Sequence, residues 1–331
     1  MRGSVKAGIL GVSLVVFLSL ASPAVAEICT VDDVPAATLL LPYFEVDLGN
    51  PDGLTTLFSI NNASASAAVA HVTVWTDESI PTLDFDIYLT GYDVQTINIR
   101  DIFNGNVPRT ADAGVDVGDT GNPNDGISNK GLLSQDINFP GSSGPCATVY
   151  VNPVLSATAQ TSLRNAHTGQ AASGFGGLCV GHDYGDNIAR GYITVDSVTQ
   201  CNLLFPSSAT YFSSGIADTR NILWGDYFYV DNPGNFAQGE TLVHVESCIP
   251  GDGFSGYVGN GGRRPGTAGL PWCPFAPGEY TFYGRYAAVA GQDQREPLAT
   301  TFATRFLNGG PFSGGTDLIV WRDSKTIPTG L

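Results

Sequence analysis

Basic residues, methionine and long apolar runs are all scarce in this chain of 331 residues. Lys and Arg together number 15 against 31 Asp and Glu, for a formal charge of −16. Nucleic-acid binding is driven by basic surface, so a polyphosphate partner is excluded as a main function. Lysine occurs only at Lys6, Lys130 and Lys325, and methionine only at Met1. Beyond the first 20 residues no apolar run reaches the length that spans a bilayer, which argues against a transmembrane segment. No CxxC, HExxH or HxH pattern occurs, so zinc spacing is missing. No GxSxG elbow is present either: Gly253-Phe-Ser-Gly256 and Gly141-Ser-Ser-Gly144 have the wrong spacing for a serine hydrolase.

What the chain does have begins at its N-terminus. Arg2 and Lys6 open a basic start, Ala7 to Leu20 is an apolar stretch, and Ala24-Val25-Ala26 gives a small-x-small cleavage pattern. Residues 1–26 therefore read as a secretory signal peptide cut after Ala26. Glu27 and Ile28 precede Cys29 where a lipobox needs small residues, so lipid attachment is not expected. Cleavage removes two basic residues and no acids, and the 13 basic against 31 acidic residues left give −18. The expected location is outside the cytoplasm: secreted, periplasmic or at the cell surface. Six cysteines (Cys29, Cys146, Cys179, Cys201, Cys248, Cys273) follow the signal, an even number that suggests three disulfides. Cys146–Cys179 and Cys248–Cys273 would tie off two loop-rich segments and leave Cys29–Cys201, although six cysteines allow fifteen connectivities.

Strand signals dominate the rest. Leu83, Phe85, Ile87 and Leu89 alternate with Asp84, Asp86 and Tyr88. The run Val69 to Trp75 is β-branched and apolar on both faces, as in a strand covered on two sides. Further strands are expected at 54–61, 94–102, 189–198, 222–231, 240–248, 279–288, 299–307 and 316–322, with Gly, Asn, Pro and Asp between them. One short helix is expected near 154–168, started by Pro153 and closed by Gly169. The fold class is all-β, a β-sandwich of the immunoglobulin-like or jelly-roll kind with long disulfide-tied loops. Residues 27–331 are read as one large domain with a long loop at 104–145, or alternatively as two sandwiches, about 27–145 and 146–331. A faint echo relates Thr55-Thr56-Leu57-Phe58 and Trp75 to Thr300-Thr301-Phe302 and Trp321.

The segment Thr55 to Arg100, with "TTLFSINNASASAAVAHVTVWTD" and "LDFDIYLTGYDVQTINIR", resembles the strand series of immunoglobulin-like surface modules. "ARGYITVDS" and "LWGDYFYVDN" look like strands returning to the same sandwich, and the layout resembles that of uncharacterised secreted bacterial β-proteins. The resemblance implies a fold and carries no activity. The cysteine–tryptophan–cysteine arrangement of antibody domains is absent, since no cysteine lies between Cys29 and Cys146.

Several residue groups could carry chemistry. Asp112, Asp116, Asp119, Asn122, Asn124 and Asp125 lie among glycines and offer oxygen ligands for calcium, although the EF-hand register fails. Asp84 and Asp86 share a strand face with Cα atoms roughly 6.5–7 Å apart, a spacing that overlaps the carboxylate pair of an inverting glycosidase. On a half-exposed strand the same pair is simply a solvated face. His182, Asp183 and Asp186 form a polar knot, and His244 and Glu246 would leave one face of a strand. His71 reads as a packed, hydrogen-bonded residue, and His167 as a cation near the last carbonyls of the helix. Tyr227 with Tyr229, and Tyr280, Phe282 and Tyr286, could stack on sugar rings or pack in a core. The reading that follows is a non-catalytic protein with a structural, adhesive or ligand-binding role, supported by calcium and directed at a surface glycan or another protein. A secreted glycan-active hydrolase using Asp84 and Asp86 is the alternative.

Overall fold

A computed structural model describes residues 34–106, 155–202, 204–247, 281–284, 286 and 293–295. Ten strands run in chain order: β1 (Thr38–Asp47), β2 (Thr55–Asn62), β3 (Ala68–Trp75), β4 (Pro81–Leu89), β5 (Val94–Asn98), β6 (Ile188–Val198), β7 (Leu223–Trp224), β8 (Asp226–Asp231), β9 (Phe236–Thr241) and β10 (Val243–Val245). They form two antiparallel five-stranded sheets. The first has the order β10-β1-β6-β3-β4; the second has β5-β2-β8-β9, with β7 also paired to β2. Strands from either side of residue 145 lie next to one another in both sheets.

One apolar core joins the sheets. Leu39, Leu41, Phe44, Val72, Val74, Phe85 and Ile87 from the first sheet meet Phe58, Ile60 and Ile97 from the second. Alternation dictates this: Phe85, Ile87 and Leu89 turn to the core and Asp84, Asp86 and Tyr88 turn away, as the sequence pattern requires. All eight residues of β3 are buried, which bears out the strand covered on both sides.

Strand β1 has no counterpart among the expected strands. Pro42 interrupts it, and the pairing with β6 shifts register between Leu41 and Phe44, where a residue without an N–H is tolerated. The expected strand 94–102 stops at Asn98. The Asn98 side chain accepts the Arg100 N–H and starts a short helix, α1 (Ile99–Phe103), which turns Ile99, Ile102 and Phe103 into the core. Arg100 then donates to the carbonyls of Asp47, Asn50, Gly53 and Leu54, clamping the β1–β2 turn.

The expected strand 222–231 breaks at Gly225, where a Cβ would lie 2.2 Å from the Ser59 carbonyl oxygen. The expected strand 240–248 divides at buried Leu242, whose N–H donates to the Gly225 carbonyl as the chain passes from β9 in the second sheet to β10 in the first. Within 279–288 the described residues form a turn, with Gly284 N–H on the Thr281 carbonyl, and not a strand. The expected strands at 299–307 and 316–322, the second copy of the echo, the signal peptide and almost all of the long loop 104–145 lie outside the described residues.

The expected helix is present as α2 (Ala157–His167). It begins three residues after Val154 because the Ser156 side chain accepts the Ala159 N–H and acts as the N-cap. Gly169 follows its end at φ +72°, where a Cβ would strike the Asp183 backbone. A third short helix, α3 (Ala209–Ser213), was not foreseen. It lies over the face of the first sheet that turns away from the main core.

Candidate functional site

That second face carries polar residues in register. Thr38 of β1 pairs with Asp196 of β6, Asp196 with His71 of β3, and His71 with Asp86 of β4. The four form one row across four strands. The next row runs Leu40, Thr194, Thr73, Asp84, and the one after it brings Tyr192 beside Trp75. Cross-strand neighbours on one face lie within side-chain contact of each other, so the register alone assembles the cluster.

An apolar layer covers these rows. Val69, Trp75 and Val198 of the sheet pack against Cys201, Tyr211, Phe212, Ile216 and Tyr283. Trp75 stacks between Tyr192 and Tyr286 and donates its indole N–H to Thr194 Oγ1 at 2.9 Å. The result is a polar network closed to solvent: His71, Asp86 and Asp196 are each 0% exposed and Arg295 1%.

Hydrogen bonds account for most of it. His71 Nδ1 lies 2.7 Å from Asp86 Oδ1, and Asp86 Oδ2 accepts the Asn202 N–H at 2.8 Å. Asp196 accepts the hydroxyls of Thr38 (2.6 Å), Tyr211 (2.9 Å) and Tyr283 (3.1 Å). Arg295 donates to Thr38 and lies 3.6 Å from Asp196 and 3.9 Å from Asp293. Asp293 in turn accepts the Thr281 hydroxyl and the Tyr283 N–H. Buried charges of this kind persist only when paired and hydrogen-bonded.

Three buried atoms do not fit that pattern: His71 Nε2, Thr73 Oγ1 and Asp84 Oδ2 have no hydrogen-bond partner. Asp84 Oδ2 and His71 Nε2 face each other at 3.7 Å. Burial alone would depress His71, but Asp86, Asp84 and Asp196 together outweigh it and hold the imidazole above its usual 6.5. Burial pushes Asp84 up to about 6 against the pull of His71. Burial and the Asp196 charge push Tyr211 and Tyr283 well above the usual phenol value, keeping both neutral donors.

The paired aspartates named from the sequence are thus brought together with His71, but the expected solvated face is not what holds them. Asp86 is fully enclosed and the Asp84 side chain is only 11% exposed. Asp196, Thr38, Tyr211, Tyr283, Asp293 and Arg295 were missed. A charged residue inside the apolar strand "ITVDSV" was the available signal for Asp196; nothing in the sequence linked the distant 281–295 segment to it.

Other named residues are placed elsewhere. His182 is exposed with its ring edge on Tyr184, while Asp183 accepts from Gln170 and Asp186 from Arg190 of β6. His244 is buried at a sheet edge, with Nδ1 2.6 Å from the Val34 carbonyl, and Glu246 lies just past the end of β10. His167 is no cation: burial pushes it down to about 4, and the neutral ring donates from Nδ1 to the Arg190 carbonyl. Tyr227 and Tyr229 meet edge to face on the core side of the second sheet, the packed outcome of their two readings.

Cys179 is free and exposed, so the Cys146–Cys179 pairing is not formed. Cys201 is disulfide-bonded, and Cys29, Cys146, Cys248 and Cys273 lie outside the described residues. The candidate calcium ligands Asp112, Asp116, Asp119, Asn122, Asn124 and Asp125 also lie outside them. Among the described residues no three His, Cys, Asp or Glu side chains converge as a metal site, and no helix is long and apolar enough to cross a membrane. No family model, curated protein or solved structure matches this chain.

Proposed function

We propose that this is a non-catalytic protein of the cell exterior, a β-sandwich of immunoglobulin-like or jelly-roll kind that serves as a structural, adhesive or ligand-binding module. One observation carries the reading. The pair best suited to hydrolysis, Asp84 and Asp86, belongs to a closed network in which Asp86 is bonded to His71 and to the Asn202 backbone. An inverting glycosidase needs room for a water and a sugar between its carboxylates. Here a histidine from the neighbouring strand faces both of them.

Binding then falls to the outside of the sandwich. On the outer face of the second sheet Phe228 and Val94 are 46% and 54% exposed, with Leu57 opposite Phe228 and Asn61 opposite Val94. A face of that composition suits a glycan or another protein. The acidic loop 112–125 is assigned calcium in this reading, on the chemistry of its oxygen ligands alone.

The test applies the full chain to a glycan array with and without calcium and assays bound glycans for newly released reducing ends. Retention without release is expected. Release that disappears in a folded Asp84→Asn variant would transfer the protein to the hydrolases.

A further inference from the structure

We propose that His71 and Asp84 share a single buried proton, and that this proton fastens the covering layer onto the first sheet. The geometry forces the first half. His71 Nδ1 is committed to Asp86, so in a neutral ring Nε2 is a bare acceptor. It would then confront the Asp84 carboxylate oxygen at 3.7 Å with no donor from the protein to either atom. Two acceptors opposed in a closed interior are unfavourable, and a proton on either one converts the opposition into an attraction. Thr73 Oγ1, directly across from Asp84, is the third atom without a partner and borders the same gap.

The second half follows from what surrounds the pair. His71 faces Asp84 and Asp86 from β4, Asp196 from β6 and the Tyr211 ring from α3, 5.6 Å away. Arg295 and Tyr283 meet Asp196 from the distal segment, and Asp293 stands behind Arg295. With the proton present, two cationic groups answer the four aspartates. Without it, Arg295 alone does. Asp86 and Asp196 also hold the cover through Asn202, Tyr211 and Tyr283, so loss of the shared proton weakens the attachment of that layer. A histidine whose folded value is raised contributes stability that is complete below about 6.5 and is lost as the pH climbs through the raised value. The layer therefore loosens towards alkaline pH.

The experiment uses full-length protein with labelled histidine, in chelator, titrated by NMR and melted at each pH between about 6 and 9. The His71 signal is expected to titrate above the free-imidazole value, and Tm to fall over the same interval. In Asp84→Asn the amide donates to Nε2 directly, so the His71 titration moves down and the alkaline fall in Tm flattens. Titration of wild-type His71 at or below the free value overturns the proposal whether or not the variant folds. So does an unchanged alkaline slope in Asp84→Asn. A lower Tm in chelator than in its absence also overturns it, since the gap would then hold a metal ion.

Discussion

Two histidines are deeply buried in this protein, and their proton affinities are shifted in opposite directions. His167 ends α2 against the rings of Phe44 and Phe103, at 5.6 and 5.1 Å, with no carboxylate among the described residues shifting it. His71 lies on the far side of the same sheet with Asp84, Asp86 and Asp196 around it. Burial depresses both. At His167 only the bond to the Arg190 carbonyl opposes it, and burial prevails; at His71 three carboxylates reverse the outcome. Depth therefore says little about the proton affinity of a histidine, and the charged groups packed around it say far more. The sheet has one face for each environment: a core of Val72, Val74, Phe85 and Ile87, and a network of His71, Asp86 and Asp196.

The largest effects should come from breaking the network side. Asp86→Ala leaves His71 Nδ1 and the Asn202 N–H without their acceptor in a closed interior. Removing one partner of a buried pair costs about 3–5 kcal/mol. Trp75→Ala empties the stack between Tyr192 and Tyr286 under the same cover and should cost about 3–5 kcal/mol. In a chain of this size each should lower Tm by roughly 10 °C. A Trp75→Ala protein that melts within a degree or two of wild type would show that the face is not closed.

A smaller effect, of opposite pH sense to that of His71, belongs to His167. Its folded value of about 4 lies below the usual 6.5. A histidine depressed by burial contributes stability that is complete above about 6.5 and is lost as the pH falls through its folded value. Between those limits the fold should lose about 3 kcal/mol, the free energy of a shift of that size. Denaturant melts at stepped acid pH should show this limb, and His167→Gln should remove most of it while leaving the alkaline limb in place. If both limbs respond to His167→Gln, the two environments are coupled and the contrast between them fails.

Much of the body of the fold was legible in the sequence because alternation is a local signal. Leu83 to Leu89 announced which side chains enter the core, and Val69 to Trp75 announced a strand covered twice. β1 was not legible: its leucines, Pro42 and the acids after it show no period, and only a register shift accommodates the proline. The candidate site was half legible. Asp84 and Asp86 share a face by arithmetic, but their burial depends on a layer built from residues more than a hundred positions away. No spacing rule connects Asp196 with Arg295, since their meeting is set by tertiary packing. The helix end at His167 is legible in the sequence but its neutrality is not, because the aromatic rings around it come from β1 and α1.

The smallest expected effect separates helix stability from histidine environment. Ser156 caps α2 at the end opposite His167, with its hydroxyl accepting the Ala159 N–H at 3.2 Å. Loss of an N-cap side chain costs about 1 kcal/mol. The rings against His167 and its bond to the Arg190 carbonyl belong to other elements and are untouched by this change. Ser156→Ala should therefore lower Tm by a few degrees at every pH, shifting the whole stability curve without changing its acid slope. A steeper or shallower acid limb in Ser156→Ala would mean that the helix, and not the aromatic pocket, keeps His167 neutral.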